Sequence, residues 1–330
     1  MSLSAIPSTV ISFARWPVQG REAAWLAELD LPHLRQWLAH AQRVDWPAWP
    51  MHPHAEAALT PPHEQVWAQL AAWPLVDGGV PTAAHAAVQA GLATPATAQG
   101  WAFVSLCHWQ VSNGQVTLAD PAHLRLSTEE DQVLLAAMQG FFAEDGLTLH
   151  PHQPGVWLVQ AEWLVDVPTA SLDRVIGQDV NAWLVGCESP QLSKAAHTLR
   201  RLQNEMQMLL YTHPVNAQRA VSVNSFWLHG TGRGVTLTPP AQAHTVHTLR
   251  AAAQQQNGQA WLDAWREVDA HVLPALLQAA SRGEPQRLVL CGEHSVQVYE
   301  HHRPSWWQRW RARFKPVSVA AALTEIQEND

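Results

Sequence analysis

Between Asn204 and Gly232 the chain reads NEMQMLLYTHPVNAQRAVSVNSFWLHGTG. Asn204, His213, Asn216, Arg219 and Asn224 are spread through it, and Gly230 and Gly232 close it. An arginine beside neutral amide donors holds a phosphate without performing chemistry on it. A glycine-rich segment exposes backbone N–H groups to the same kind of ligand, but the phosphate cradles built this way lead into a helix N-terminus. Here VTLTPP follows GTGRG, which is no helix start, so a plain turn is the favoured reading of the glycines.

Other polar clusters carry their own alternatives. His52-Pro-His54, His150-Pro-His152, His301-His302 and the Cys291-Gly-Glu-His294 run are short pairs. A zinc site needs three or four convergent ligands, and no pair has a matching second half, so Pro-flanked surface histidines are expected. Asp166, Asp173, Arg174 and Asp179 fall within DVPTASLDRVIGQDV. Carboxylates this close could hold a metal or move protons; Ser171 and Asp173 equally suit a turn and a cap. RPSWWQRWRARFK, as a helix, would gather Trp306, Trp307, Trp310 and Phe314 on one face, with Arg309, Arg311, Arg313 and Lys315 around them. That suits a membrane surface or an acidic partner over the span Trp306 to Lys315, or a helix whose tryptophans cap a core.

The elements that must position these residues follow from periodicity. STVISFA (8–14) is β-branched and aromatic, the pattern of a first strand. Leu31, Leu34, Trp37, Leu38 and Ala41 recur at helical spacing. DWPAWPMHPHAEAALTPP is too rich in proline for regular structure. WAFVSLCHWQV and QVTLA flank Asn113-Gly114, the preferred dipeptide of a tight hairpin. Ser127 or Thr128 caps a helix that Gly146 ends, with Glu129, Glu130 and Asp131 at its positive pole. VWLVQAEWLV (156–165) is a strand, 193–211 a long helix, and 221–228 a strand. A helix over 260–280 bends at Pro274, and QRLVLC and SVQVY are strands. Strands alternating with helices around a hairpin-based segment predict an α/β architecture with an inserted α+β domain.

The 330 residues are 47% hydrophobic and 15% charged, which suits a globular chain with a substantial core. Eighteen Trp must be buried or line surfaces. The net charge of −8 excludes the basic footprint of nucleic-acid binding. Cys107, Cys187 and Cys291 cannot form a disulfide framework, which suits a reducing compartment. The first residues lack the basic and apolar regions of a signal peptide, and no apolar run reaches the length of a bilayer span. A cytoplasmic location is expected, with the last ten or so residues as a tail.

PTASLDRVIG, LRRLQNEMQMLLYTHPVN and VNSFWLHGTG resemble the bacterial RpfE-type regulatory proteins, as do the upstream LCHWQV, VTLADPAHLRLS and FFAEDGLTLH. The likeness runs from about Leu29 to Trp310. More distantly, HPVNAQR with VNSFWLHGTG is similar to the archaeal-type cofactor-independent phosphoglycerate mutases of the alkaline phosphatase superfamily. DLPHLRQWLA, VTLADPAHLRLSTEE, and WREVDAHVLPALL with RLVLCGEHSV fit the same family. The resemblance implies an alkaline-phosphatase-like core over 1–77 and 166–330, with an inserted α+β domain at 78–165.

Those enzymes need two divalent metals and a nucleophile. The first strand should end in a metal-binding Asp-Gly and here runs SFARWP. No serine lies between Phe13 and Val104, leaving Thr60 in LTPP as the hydroxyl for the nucleophile's place. The late Asp-His pair has become Glu293-His294. VTLTPPAQAHTVHTLRAAAQQQNGQ, where further ligands should lie, holds two His and no carboxylate. The expectation is a degenerate, non-catalytic relative without a cofactor, acting as a regulatory or interaction protein with a protein partner. Two alternatives stand beside it. One is an active phosphomutase or phosphatase with Mn, Mg or Zn and a rebuilt site drawing on Thr60, Asp173, His213, Arg219 and His294. The other is a sensor of a phosphorylated metabolite held by Arg219, Asn224 and the glycine segment.

Overall fold

The β-branched run near the start forms a strand, β1 (Ser8–Ile11), with Val10 and Ile11 fully buried on opposite faces. The structure is a computed structural model that describes residues 6–15, 22–47, 55–95, 98–112, 114–187, 193–234, 243–301 and 319–324. The His52/His54 pair, Asn113, His302 and the tryptophan-rich run 303–315 lie outside the described residues. The fold is mixed α/β, with two units. One comprises Met1–Trp49, Pro61–Ala71 and Thr238–Asp330; the other comprises Pro50–Thr60 and Ala72–Leu237.

In the first unit, β1 runs parallel to both β8 (Ala243–Val246) and β9 (Gln286–Cys291). β10 (Val296–His301) returns antiparallel to β9, and β2 (Gln42–Val44) pairs antiparallel with β10. α2 (Pro32–Leu38), α9 (Gly258–His271) and α10 (Leu273–Ser281) cover one face around Ile11, Trp37, Trp265 and Leu290. α3 (Pro62–Leu70) covers the other around Val10, Val66 and Val289. The bend expected at Pro274 is the break between α9 and α10. Asp269, 4% exposed, accepts from the His33 and Leu34 N–H groups and so satisfies the start of α2 from another helix.

In the second unit, β3 (Gly100–Ser112) is the spine. It pairs antiparallel with β4 (Gln115–Ala119), β6 (Val156–Ala161) and β7 (Ser225–Arg233). β5 (Thr148–Gln153) adds to β6. α5 (Thr128–Glu144) and α7 (Lys194–Tyr211) pack their Leu134, Met138, Phe142, Leu202 and Met206 on one face. α4 (Thr82–Gln89) packs its alanines against Trp101 and Leu158. The cap expected for α5 is present as a full capping box: Ser127 Oγ accepts from Glu130 N–H, and the Glu130 carboxylate accepts from Ser127 N–H.

Several expectations differ from the structure. The glycine run read as a turn is the second half of β7, because β7 stays paired with β3 through Gly232 and Arg233 across a bulge between Trp101 and Phe103. LTLHPHQ, with its Pro-flanked histidines expected at the surface, is the strand β5; His152 is exposed, while His150 is half-buried and packs on Trp101 with ring centroids 5.5 Å apart. The short strands β2 and β8 carry too little periodic pattern to be seen in sequence. The segment 166–237, assigned by sequence to the core, falls with 78–165 in the second compact unit, since β7 adds directly to β3.

Candidate functional site

Ligands of α/β sheets sit at the carboxyl ends of the parallel strands, and in the first unit that edge begins at Ser12. Ser12 is fully buried. Its N–H and its Oγ both donate to Val246 O at 3.1 Å, and its Oγ lies 3.1 Å from His247 Nδ1. Phe13 follows with φ 55, a left-handed conformation that costs a bulky residue about 1–2 kcal/mol. Two tryptophans of α9 hold this turn: Trp261 Nε1 donates to Phe13 O at 3.0 Å and Trp265 Nε1 to Ala14 O at 3.1 Å. A buried Trp N–H usually finds a hydrogen-bond partner, and here two of them fix the left-handed end of β1.

His63, 5% exposed in the first turn of α3, packs on Phe13 with ring centroids 5.5 Å apart. It meets His247 edge-on at 5.9 Å. A ligand nitrogen of His63 and a carboxylate oxygen of Glu64 lie within 4.8 Å of each other. Sequence reasoning missed Ser12, His63 and His247. The signal for Ser12 was its place just after the β-branched run; His247 was hidden by the weak pattern of β8. His294 and Glu293 lie beyond β9, with Nε2 and Oε1 3.6 Å apart, both partly exposed.

The polar residues singled out between Asn204 and Gly232 all lie in the second unit, where most serve the backbone. Asn216 donates to Leu210 O at 2.8 Å and Val223 O at 2.7 Å, and accepts from Val223 N–H at 2.8 Å. Asn224 exchanges two hydrogen bonds with the Trp109 backbone, like a strand neighbour. His213 Nδ1 accepts from Val215 N–H, capping a 3-10 turn. Arg219, whose side chain is 11% exposed, pairs with Glu130 at 2.6 Å and also donates to Val221 O and Leu124 O. Its guanidinium thus ties the 3-10 turn to the start of α5.

The glycines serve close packing. At Gly230 (φ 67) an added Cβ would stand 2.4 Å from Thr82 Oγ1, and at Gly232 2.7 Å from Pro81 Cβ. The start of α4 packs closely against both glycines. Thr60 Oγ1 accepts from Gly78 N–H at 2.8 Å, and Asp77 receives the Leu59 and Thr60 N–H groups. Asp173 stands at the start of α6 (Leu172–Val175), its N–H donating to Ser171 Oγ, and Asp179 caps the next 3-10 turn.

What the second unit does hold open is a cleft of about 1050 Å³. One wall is the face of α7 carrying Arg200, Gln203, Asn204 and Gln207. Trp109, Val111 and Leu184 line it from other elements, and Asn204, His213, Asn216 and Asn224 all reach its surface. The structure therefore gathers four of the seven sequence-flagged residues at one cleft and sets Arg219, Gly230 and Gly232 elsewhere. A smaller recess of about 490 Å³ contains Arg219 together with Glu130.

Among the described residues no helix is long and apolar enough to cross a membrane. No family model matches the chain, and no curated protein matches it. Solved structures similar to it include two of archaeal proteins. The cofactor-independent phosphoglycerate mutase from Thermoplasma acidophilum DSM 1728 is 12% identical, covering 97% of this chain and 99% of that one at a TM-score of 0.35. The PH0037 protein from Pyrococcus horikoshii is 11% identical, covering 90% of this chain and 87% of that one at a TM-score of 0.44.

Proposed function

We propose that this chain is a non-catalytic relative of the metal-dependent phosphoglycerate mutases, a regulatory or interaction protein in which the phosphoryl-transfer site has been replaced by structural contacts. The observation that carries this reading is the end of β1. Two-metal phosphoryl transfer needs anionic ligands there to hold cations against the phosphoryl oxygens. This chain has Ser12, a neutral hydroxyl, fully buried and hydrogen-bonded to Val246 O and beside His247. Thr60, the stand-in nucleophile from sequence, is 2% exposed and holds Gly78 N–H. A nucleophile must reach its substrate and pass its proton to a base, and a buried oxygen engaged by the backbone does neither. The RpfE-type reading rests on the sequence motifs alone, since no family model matches the chain, and a regulatory role in a cytoplasmic setting is proposed from those motifs.

The second reading is an enzyme with a rebuilt metal site. It is favoured by the His63–Glu64 donor pair. A two-metal clamp needs several carboxylate ligands. Incubation of the full chain with 3-phosphoglycerate or a chromogenic phosphate ester, in Mn²⁺, Mg²⁺ or Zn²⁺, separates the two. The regulatory reading expects no turnover above the protein-free control.

A further inference from the structure

Arg200, Gln203, Asn204, Gln207 and Tyr211 recur at three- and four-residue spacing along α7 and therefore share one face. That face forms a wall of the cleft in the second unit. Gln203 is 7% exposed and anchors the wall, its Nε2 donating to Phe226 O at 3.5 Å. Arg200 is different: its Nε is buried and has no hydrogen-bond partner among the described residues. A guanidinium stays charged at any working pH, and a buried donor of a charged group left unmatched opposes folding. Arg200 also lines the cleft, so its guanidinium presents a positive charge to it. Among the described residues lining the cleft none is Asp, Glu or Lys, although the whole chain carries a net charge of −8. Trp109, Val111 and Leu184 line the same cleft with apolar surface, and Tyr211, 87% exposed, stands at the rim.

We propose that this cleft binds a small amphipathic anion, with its single carboxylate, sulfonate or phosphate on Arg200 and its aromatic or aliphatic body against Trp109 and Leu184. Charge-assisted hydrogen bonds to arginine are shorter and about twice as strong as neutral ones. The side-chain amides of Asn204 and Gln207 flank the head without adding charge. At about 1050 Å³ the cleft is at the upper end of the small-molecule range. The proposal goes beyond the loss of phosphoryl transfer in the first unit and is tested separately from it, because it concerns binding by residues of the second unit alone.

The test is a fluorescence titration of the full chain with anilinonaphthalene sulfonate and with N-phenylnaphthylamine, which has similar rings and no charge. The expected result is one sulfonate bound per chain, about tenfold tighter than the neutral probe. Arg200→Gln should weaken the sulfonate about tenfold and leave the neutral probe unchanged. Equal loss for both probes, or no loss for the sulfonate, would overturn the proposal. Asn204→Trp, at an exposed position on the same wall, should fill the cleft and abolish binding of both probes; unchanged binding would place the probes elsewhere and also overturn it. On the unsubstituted protein, dodecanoate should displace the sulfonate and dodecanol should not. Equal displacement by the two removes the role of the charge, whatever the variants do.

Discussion

Ser12 Oγ and His247 Nδ1 lie 3.1 Å apart, a pairing between the residues that directly follow two neighbouring parallel strands, β1 and β8. Sequence placed them 235 residues apart and gave neither a role. Their contact clasps the carboxyl ends of these two strands together. Ser12→Ala removes the hydroxyl bond to Val246 O, but that carbonyl keeps the Ser12 N–H. The loss should be about 1 kcal/mol, read as a lower urea midpoint with an unchanged slope. A loss of activity toward any phosphate ester on this substitution would instead mark Ser12 as a working residue.

Asn216 and Arg219 separate structure from binding in the stretch that first suggested a site. Asn216→Ala removes three hydrogen bonds to the backbone, one of them from Val223 N–H, and should destabilise by about 2–3 kcal/mol. Arg219→Ala leaves Glu130 without its ion-pair partner and should cost about 2 kcal/mol. Arg219→Ala, outside the cleft, should leave anion binding unchanged, measured on folded protein below the unfolding transition.

The helices and the hairpin were legible in sequence because their signals are local. Ser127 and Glu130 announce the capping box of α5, and apolar spacing over 193–211 announces α7. The site was only half legible. Asn216 and Asn224 look like ligand-binding amides until the strand they brace is known. Arg219 looks free until α5 folds Glu130 against it, a partner 89 residues away. Gly230 and Gly232 read as a plain turn because their strand partner and their close neighbours Thr82 and Pro81, at the start of α4, are distant in sequence. Tertiary partners decided each role, and periodicity carries no record of them.

Two glycines give opposite expectations. Gly230→Ala places a Cβ in a left-handed backbone position and against Thr82 Oγ1, and should destabilise by about 2–3 kcal/mol. Gly140, exposed within α5, has nothing within 4 Å of an added Cβ. Gly140→Ala should stabilise by about 0.5–1 kcal/mol through helix propensity. Thermal unfolding of the two variants, side by side, measures both.

Glu130 makes the capping box pH-sensitive. The Ser127 N–H, and then Arg219, hold its carboxyl below the ordinary value of 4.5. A carboxyl with a lowered folded pKa adds stability that is complete above the unfolded pKa and is lost as pH falls through the folded one. Wild-type protein should therefore exceed Glu130→Gln in urea midpoint by a constant margin from pH 7 down to about 5.5, and the margin should close below about pH 4. A margin that persists unchanged into acid would show that the carboxylate's charge plays no part.

The reading of the first unit as a clasp in place of a phosphoryl-transfer centre is tested most directly by turnover of 3-phosphoglycerate in the presence of Mn²⁺, Mg²⁺ or Zn²⁺. The account predicts no conversion above the protein-free control with any of the metals. Metal-dependent conversion that disappears in His63→Ala or His294→Ala, with both variants still folded, would contradict it and identify the chain as an enzyme.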